Sequence, residues 1–307
     1  MLPLISTTAG LCYYLTAMID EAKLESLRQR AKRVKLVAAD LDGTLLNSKH
    51  MLSPKNLGAL TALADKGIVV AAATGRTRST IPKALTELDS VKYLISANGS
   101  RVFINGTDEI ISEQFLSAEA IEYVRPFFSD DEVLCVFFWD GIPYVEQSRY
   151  DNASKYGVPR WYSDYFYNSR RPLIDFEAAV NKNAHMVENI TFCMGSDTIK
   201  KRVLSYLKAR TDLYELTSSF SFNYEIGGVG VRKDAAIDLI AKREGILQEE
   251  TMAFGDNEND KAMIRYAGIG VAVANATPGA IEAADLVTEQ DNNHSCVAEA
   301  LKLLGMI

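Results

Sequence analysis

The run KLVAADLDGTLL at residues 35–46 constrains the chain more than any other stretch. Leu36, Val37, Ala38 and Ala39 are consecutive apolar residues bounded by turn formers, the pattern of a short strand buried on both faces of a parallel sheet. The strand runs into Asp40-Leu41-Asp42-Gly43-Thr44, so two carboxylates project beyond its C-terminal edge, where open α/β sheets place their ligands. Alternation puts Asp40 and Asp42 on one side. Two like charges so close raise each other's pKa unless a cation or a shared proton intervenes. The same residues also spell an Asp-Gly turn, a common structural device. A calcium loop of the EF-hand kind is excluded, because its glycine and bidentate glutamate are missing at the required spacings.

Ser53-Pro54 then marks a helix start, with Leu57, Leu60 and Leu63 as its buried stripe and Gly67 as its stop. The apolar run at residues 68–73 completes a strand-helix-strand unit and so a parallel sheet. That strand ends in Thr74-Gly75-Arg76. A helix over residues 81–88 and a strand over 93–96 lead to Ala97-Asn98-Gly99, so three strands end in polar or glycine-containing loops on one edge.

The rhythm changes at Asn105-Gly106 and again at Asp140-Gly141, both hairpin signals that imply antiparallel pairing. Residues 113–226 read as a separate α+β unit, with helices at 117–128 and 198–210 and strands at 133–139, 142–147, 189–194, 213–217 and 220–226. Gly227-Gly228 forms the hinge back, and the βα pattern resumes with a helix over 233–244 and a strand over 251–254. Gly255-Asp256-Asn257-Glu258-Asn259-Asp260 follows, then a helix to Tyr266, strands at 269–274 and 286–287, and helices at 278–284 and 295–304. The expected division is an N-terminal extension (1–33), a core in two parts (34–112 and 227–307) and the insert between them. Residues 2–18 lack the basic start of a signal peptide, and the expectation there is a poorly ordered extension or translation from Met18. Over residues 21–33, Leu24, Leu27 and Ala31 fall on one helical face, so a leader helix is expected, the extension being partly helical and partly disordered.

With a net charge of −7 over 307 residues, duplex nucleic acid and anionic membrane are disfavoured as partners, while a small anionic substrate is not. Cys12, Cys135, Cys193 and Cys296 show no metal-ligand or disulfide spacing, which fits a reducing, cytoplasmic setting.

Asp256 and Asp260, on the loop and first helical turn after a strand, lie near the same sheet edge as Asp40 and Asp42. Carboxylates converging in this way repel one another and are tolerable only around a hard divalent cation; oxygen-only ligands favour Mg²⁺. The histidines, His50, His185 and His294, lie outside these loops and read as surface or structural residues. A carboxylate beside Mg²⁺ can attack phosphorus and form an aspartyl-phosphate, with a neighbouring acid such as Asp42 moving the proton. Thr74, the Gly75 backbone and a lysine are candidate donors to the transferring phosphoryl oxygens.

Taken in order, Asp-Leu-Asp-Gly-Thr, Ala-Thr-Gly-Arg, Lys233 and Gly-Asp-x-x-Asn-Asp resemble the haloacid dehalogenase-like hydrolase superfamily, in its Cof-type subfamily with a type IIB cap. The resemblance implies a Rossmann-like parallel-sheet α/β core with an inserted α+β cap, and a Mg²⁺-dependent phosphatase of sugar phosphates or similar phosphomonoesters. It further implies Asp40 as nucleophile and metal ligand, and Asp42 as general acid/base with its carbonyl on the metal. Asp256 and Asp260 would be metal ligands, and Thr74, Lys233, Asn259 and the amides of Leu41 and Gly75 would hold the phosphoryl group. Asn98 and Gly99 would border the pocket. Two places depart from the family's habit: Arg232-Lys233-Asp234 stands where Ser-Lys-Gly is usual, and Asn293-His294 where an acidic-Gly pair often stands.

The aromatic and arginine-rich run from Arg160 to Arg171 falls in the insert and is a candidate stretch for contacting a sugar or an anionic group, but its aromatics read chiefly as packing and the sequence singles out no specificity residue in it. The alternative readings are a phosphomutase of the phosphomannomutase-like type and a catalytically inactive regulatory relative. The protein is expected to be a monomer or homodimer acting on a small phosphorylated metabolite.

Overall fold

The computed structural model describes residues 21–307, and the expectations for residues 1–20 lie outside the described residues. The first described helix, Glu21–Ala31, buries Leu24, Leu27 and Ala31, the face anticipated from their spacing. It is followed by β1 (Leu36–Asp40), whose five residues are all buried. The helix Pro54–Asp65 starts as its cap residues dictate: the Ser53 side chain accepts a hydrogen bond from the Asn56 N–H and Pro54 occupies the first turn.

The strands that follow are β2 (Val69–Ala73), β3 (Tyr93–Ser96), β4 (Arg101–Ile104), β5 (Ile110–Glu113), β6 (Val133–Trp139) and β7 (Ile142–Glu146). The later ones are β8 (Arg171–Leu173), β9 (Val187–Met194), β10 (Glu215–Thr217), β11 (Asn223–Gly227), β12 (Thr251–Gly255), β13 (Ile269–Ala272) and β14 (Leu286–Val287). They form an eight-stranded sheet of order β14-β13-β12-β1-β2-β3-β4-β5 and a six-stranded sheet of order β10-β11-β9-β6-β7-β8.

In the larger sheet every pairing from β14 to β3 is parallel, and β4 and β5 extend it antiparallel. The chain leaves β1 toward β2 on one side and returns through β12 on the other, so β1 sits where strand order reverses. Crevices form at such switch points, outside the carboxyl ends of the strands. Side chains alternate across β1: Val37 and Ala39 join one apolar layer with Leu27, Leu60 and Leu63, whereas Leu36 and Ala38 join another with Ile237 and Ile240. Both faces of the sheet are thus covered by helices.

The smaller sheet is antiparallel apart from the β7–β8 pair. The β6–β7 hairpin turns at Asp140 and Gly141 with φ of 51° and 69°, the pair of left-handed residues that a tight hairpin of this hand requires. One face of β6 packs Val133, Cys135 and Phe137 against Phe127, Phe192 and Leu207; the other packs Leu134, Val136 and Phe138 against Tyr162, Phe166 and Phe222.

Residues 147–183 hold more structure than the sequence announced: the short helix Gln147–Tyr150, the helix Arg160–Ser169, β8 and the helix Phe176–Asn183. The expected helix over 81–88 shrinks to Lys83–Thr86; its start moves past Pro82 because the proline ring drives the preceding Ile81 to extended backbone, at φ −70° and ψ 131°.

Candidate active site

Asp40 is the last residue of β1 and is 5% exposed. β12 lies parallel beside it, so the loop that follows β12 emerges at the same edge and carries Asp256 and Asp260. Asp40, Asp256 and Asp260 each offer a carboxylate oxygen within 4.8 Å of the others, and all three are buried. Asp260 shapes its own loop, one oxygen accepting the Asp256 and Asn257 amides at 3.0 Å each. Its other oxygen accepts from Lys233 Nζ at 2.6 Å, and Lys233 also donates to Asp40 at 2.5 Å. Asp256 accepts from Thr44 Oγ1 at 3.0 Å.

The electrostatics follow from burying so many acids around one ammonium. Burial, then Asp260 and Asp256, push Asp40 well above the usual carboxylate range against the pull of Lys233. Burial and the neighbouring Asp260 push Asp256 up to about 7. For Lys233 burial works against the charge, but Asp260 and Asp40 more than reverse it, and the ammonium stays charged. The cluster carries more acid than base. An all-oxygen donor set of this kind suits a hard divalent cation, and Asp40, Asp256 and Asp260 are the side chains that would hold it.

Asp42 behaves differently from its expected mutual repulsion with Asp40. Arg76 grips it with two hydrogen bonds of 2.6 Å from Nε and Nη2, and His50 Nδ1 lies 3.0 Å from its Oδ1. Burial would raise Asp42, yet the Arg76 and His50 hydrogen bonds override it and hold the carboxyl well below its usual range. His50, read from the sequence as a surface or structural residue, thus holds a structural position against Asp42. Residues 42–52 fold back through bridges of Asp42 to Leu46 and Leu46 to Leu52, and Asn47 Oδ1 accepts the Lys49 and Met51 amides. That turn, with His50 at φ 56°, delivers the imidazole to Asp42.

The remaining expected residues gather around the same crevice. Thr74 and Gly75 follow β2 and line a cleft with Asp40, Asp42, Arg76 and Asn259. Leu41 is fully buried in the apolar core, leaving only its backbone to act. Ala97 and Asn98 adopt left-handed φ of 46° and 58°. Such conformations persist where the surroundings enforce them. Here they aim Asn98 between Asn259, which donates to it at 3.0 Å, and Glu225, which accepts from it at 2.8 Å. Gly99, at φ 111°, packs against the backbone of Arg232, where a β-carbon would lie 2.6 Å from the carbonyl oxygen. Asn98 and Lys233 line a second cavity behind the cleft, together with Asn259.

The opposite wall of the cleft comes from the smaller sheet and its helix, through Phe138, Tyr162, Tyr165, Arg170, Thr191 and Glu225. Tyr165 reaches the larger sheet's side, with its ring 4.5 Å from the Arg76 guanidinium and 5.6 Å from the His50 ring. His294 pairs instead with Asp291 at 2.6 Å.

A family model described as haloacid dehalogenase-like hydrolase matches residues 37–301. The chain belongs to this family. Over 287 residues the hydrolase is 30% identical to the 5-amino-6-(5-phospho-D-ribitylamino)uracil phosphatase YcsE of Bacillus subtilis, covering 90% of this chain and 98% of that one. It is also 30% identical, over 80% of its length and 85% of the relative's, to an HMP-PP phosphatase of Klebsiella pneumoniae. Among solved structures it resembles a sugar phosphatase of the superfamily's subclass IIB, with TM-score 0.74, 28% identity, and coverage of 89% of this chain and 100% of that one. A haloacid dehalogenase-like hydrolase from B. subtilis gives TM-score 0.77 at 26% identity, covering 88% and 99%. The Cof-type, subclass IIB resemblance read from the motifs therefore holds, and the hydrolase is a phosphatase of this superfamily. No helix among the described residues is long and apolar enough to cross a membrane.

Proposed function

We propose that the chain is a Mg²⁺-dependent phosphatase of small phosphorylated metabolites, sugar phosphates or similar phosphomonoesters, that works through an aspartyl-phosphate on Asp40. The observation that carries this reading is the buried convergence of Asp40, Asp256 and Asp260 at the switch point of the sheet, with Lys233 between two of them. Asp40, Asp256, Asp260 and the carbonyl of Asp42 would hold the metal. Once bound, Mg²⁺ supplies positive charge that keeps the nucleophile ionised and offsets the phosphate's own charge.

The side chains divide the remaining work. Asp40 attacks phosphorus, while Thr74, the amides of Leu41 and Gly75, Lys233 and Asn259 hold the phosphoryl oxygens. Asp42 gives a proton to the leaving oxygen and later takes one from the attacking water. In the present arrangement, bound by Arg76 and His50, it is poised as an acceptor, and it must leave Arg76 before it can donate. Residues 113–226 act as the cap and residues 34–112 with 227–307 as the core, and Asn98 and Gly99 border the pocket. Closure of the cap over the cleft excludes water from the reacting group.

The test is turnover of p-nitrophenyl phosphate with Mg²⁺. Asp40→Asn removes the nucleophile and should cut kcat by about a thousandfold or more with the melting temperature little changed. Unchanged turnover would refute the assignment.

A further inference from the structure

The cleft holds a cation, Arg170, that no acid among the described residues neutralises. Arg170 ends the helix Arg160–Ser169 and lines the cleft beside Tyr162, Tyr165 and Thr191. Its guanidinium donates to the Tyr162 hydroxyl at 3.0 Å and to Ser169 Oγ at 2.7 Å, and Nε is buried with no hydrogen-bond partner among the described residues. It rests against the rings of Tyr162, Tyr165 and Phe166 at 5.3, 5.0 and 5.0 Å from their centroids.

Arg76 and Glu225, charged side chains that line the same cleft, already have hydrogen-bond partners of their own. Arg76 is taken by Asp42 through both of its facing nitrogens. Glu225 accepts from Asn98 and Asn223 at 2.8 and 2.9 Å. A half-buried guanidinium whose Nε–H is shut away from water without an acceptor is costly unless one arrives. Its planar fork suits a phosphate or a carboxylate, and aromatic stacking fixes the plane in which that acceptor must approach.

Because the transferring phosphoryl group is assigned to Asp40, Lys233 and Thr74, the acceptor for Arg170 must sit on the leaving portion of the substrate. We infer that Arg170 is a specificity residue that grips a second anionic group there, so that the preferred substrates are phosphoesters carrying two anionic groups. The inference rests on the phosphatase reading above and narrows its substrate class.

The experiment compares matched pairs with Mg²⁺ present. Fructose 1,6-bisphosphate against fructose 1-phosphate tests a second phosphate, and 6-phosphogluconate against glucose 6-phosphate tests a carboxylate. Wild type should favour the doubly anionic member of at least one pair by about tenfold or more in kcat/KM, carried by KM, as expected for a charge-assisted contact. Arg170→Gln should bring that ratio to near one, and Arg170→Lys should keep part of it. Each ratio is taken within one preparation, so a reduced folded fraction cancels. Equal ratios in wild type, or a preference that survives Arg170→Gln, would overturn the inference while p-nitrophenyl phosphate turnover leaves the phosphatase reading standing. Absence of turnover on every ester, p-nitrophenyl phosphate included, would overturn both.

Discussion

At the scale of single residues, the site separates two carboxylates that are two positions apart into opposite electrostatic roles. Asp40 lies among acids and is pushed up by burial, whereas Asp42 lies against Arg76 and His50 and is held down. Removing the guanidinium should undo the second half of that division. In Arg76→Gln the Asp42 pKa rises, so the acidic limb of the kcat profile, where Asp42 must be ionised to take a proton from water, moves to higher pH. A limb that stays in place in pH-rate measurements would show that Asp42 does not set it. Lys233 is the other decisive residue, fully buried and bonded to Asp40 and Asp260. Truncating one partner of a buried pair costs about 3–5 kcal/mol by leaving charge uncompensated. Lys233→Ala should therefore melt well below wild type in EDTA and recover more than wild type does when Mg²⁺ is added, since the cation replaces the lost ammonium. Equal Mg²⁺-induced shifts in the two proteins, read by differential scanning fluorimetry, would contradict this.

At the scale of elements, the loops matter more than the strands that present them. Gly43 has φ +86°, and a β-carbon there would run into the Asp256 carboxylate. Gly43→Ala should cost about 1–3 kcal/mol in stability through backbone strain alone and displace Asp256 from the cluster, lowering Mg²⁺ affinity as well. Tight Mg²⁺ binding by a folded Gly43→Ala protein, measured by calorimetry, would refute that coupling. The same loops show what could be read from the sequence and what could not. β1 and β2 were legible because a continuous apolar run has one economical explanation, a strand buried on both faces, and Ser53-Pro54 marked its helix by cap chemistry. The helix Arg160–Ser169 was not. Its residues are rich in aromatics, which favour strands, it opens after Pro159 with no side-chain cap, and Trp161 at 65% exposure sits beside buried Tyr162, so the apolar periodicity is broken. His50 was illegible for a different reason: its place depends on an Asn47 turn and a left-handed φ, neither of which leaves a periodic trace. Arg76 could have been found, because a basic residue directly after Thr74-Gly75 lies on the same loop as the expected phosphate donors.

For the whole molecule, the carboxylate cluster makes folding itself depend on pH and on metal. Asp256 titrates at about 7 in the folded chain against 3.8 in an unfolded one. Between those values the folded state binds more protons than the unfolded state, so stability falls as pH rises through the interval. Asp40, raised for the same reasons, adds in the same direction. The Asp256 contribution is on the order of 4 kcal/mol, a large part of the 5–15 kcal/mol typical of a whole protein. Below pH 4 both states are protonated there and the dependence from this group vanishes; above pH 7 the full penalty applies. Metal binding reverses the sign, because a bound divalent cation requires the ionised carboxylates and stabilises only the folded chain that brings them together. Urea unfolding in EDTA should thus give a free energy that declines from pH 5 to pH 8, while saturating Mg²⁺ should raise it most at the alkaline end and flatten or invert the slope. Asp256→Asn, which removes the titrating group, should lose much of the EDTA slope. A slope identical in wild type and Asp256→Asn would mean that the pH dependence arises elsewhere and that these acids do not bear the cost their burial implies.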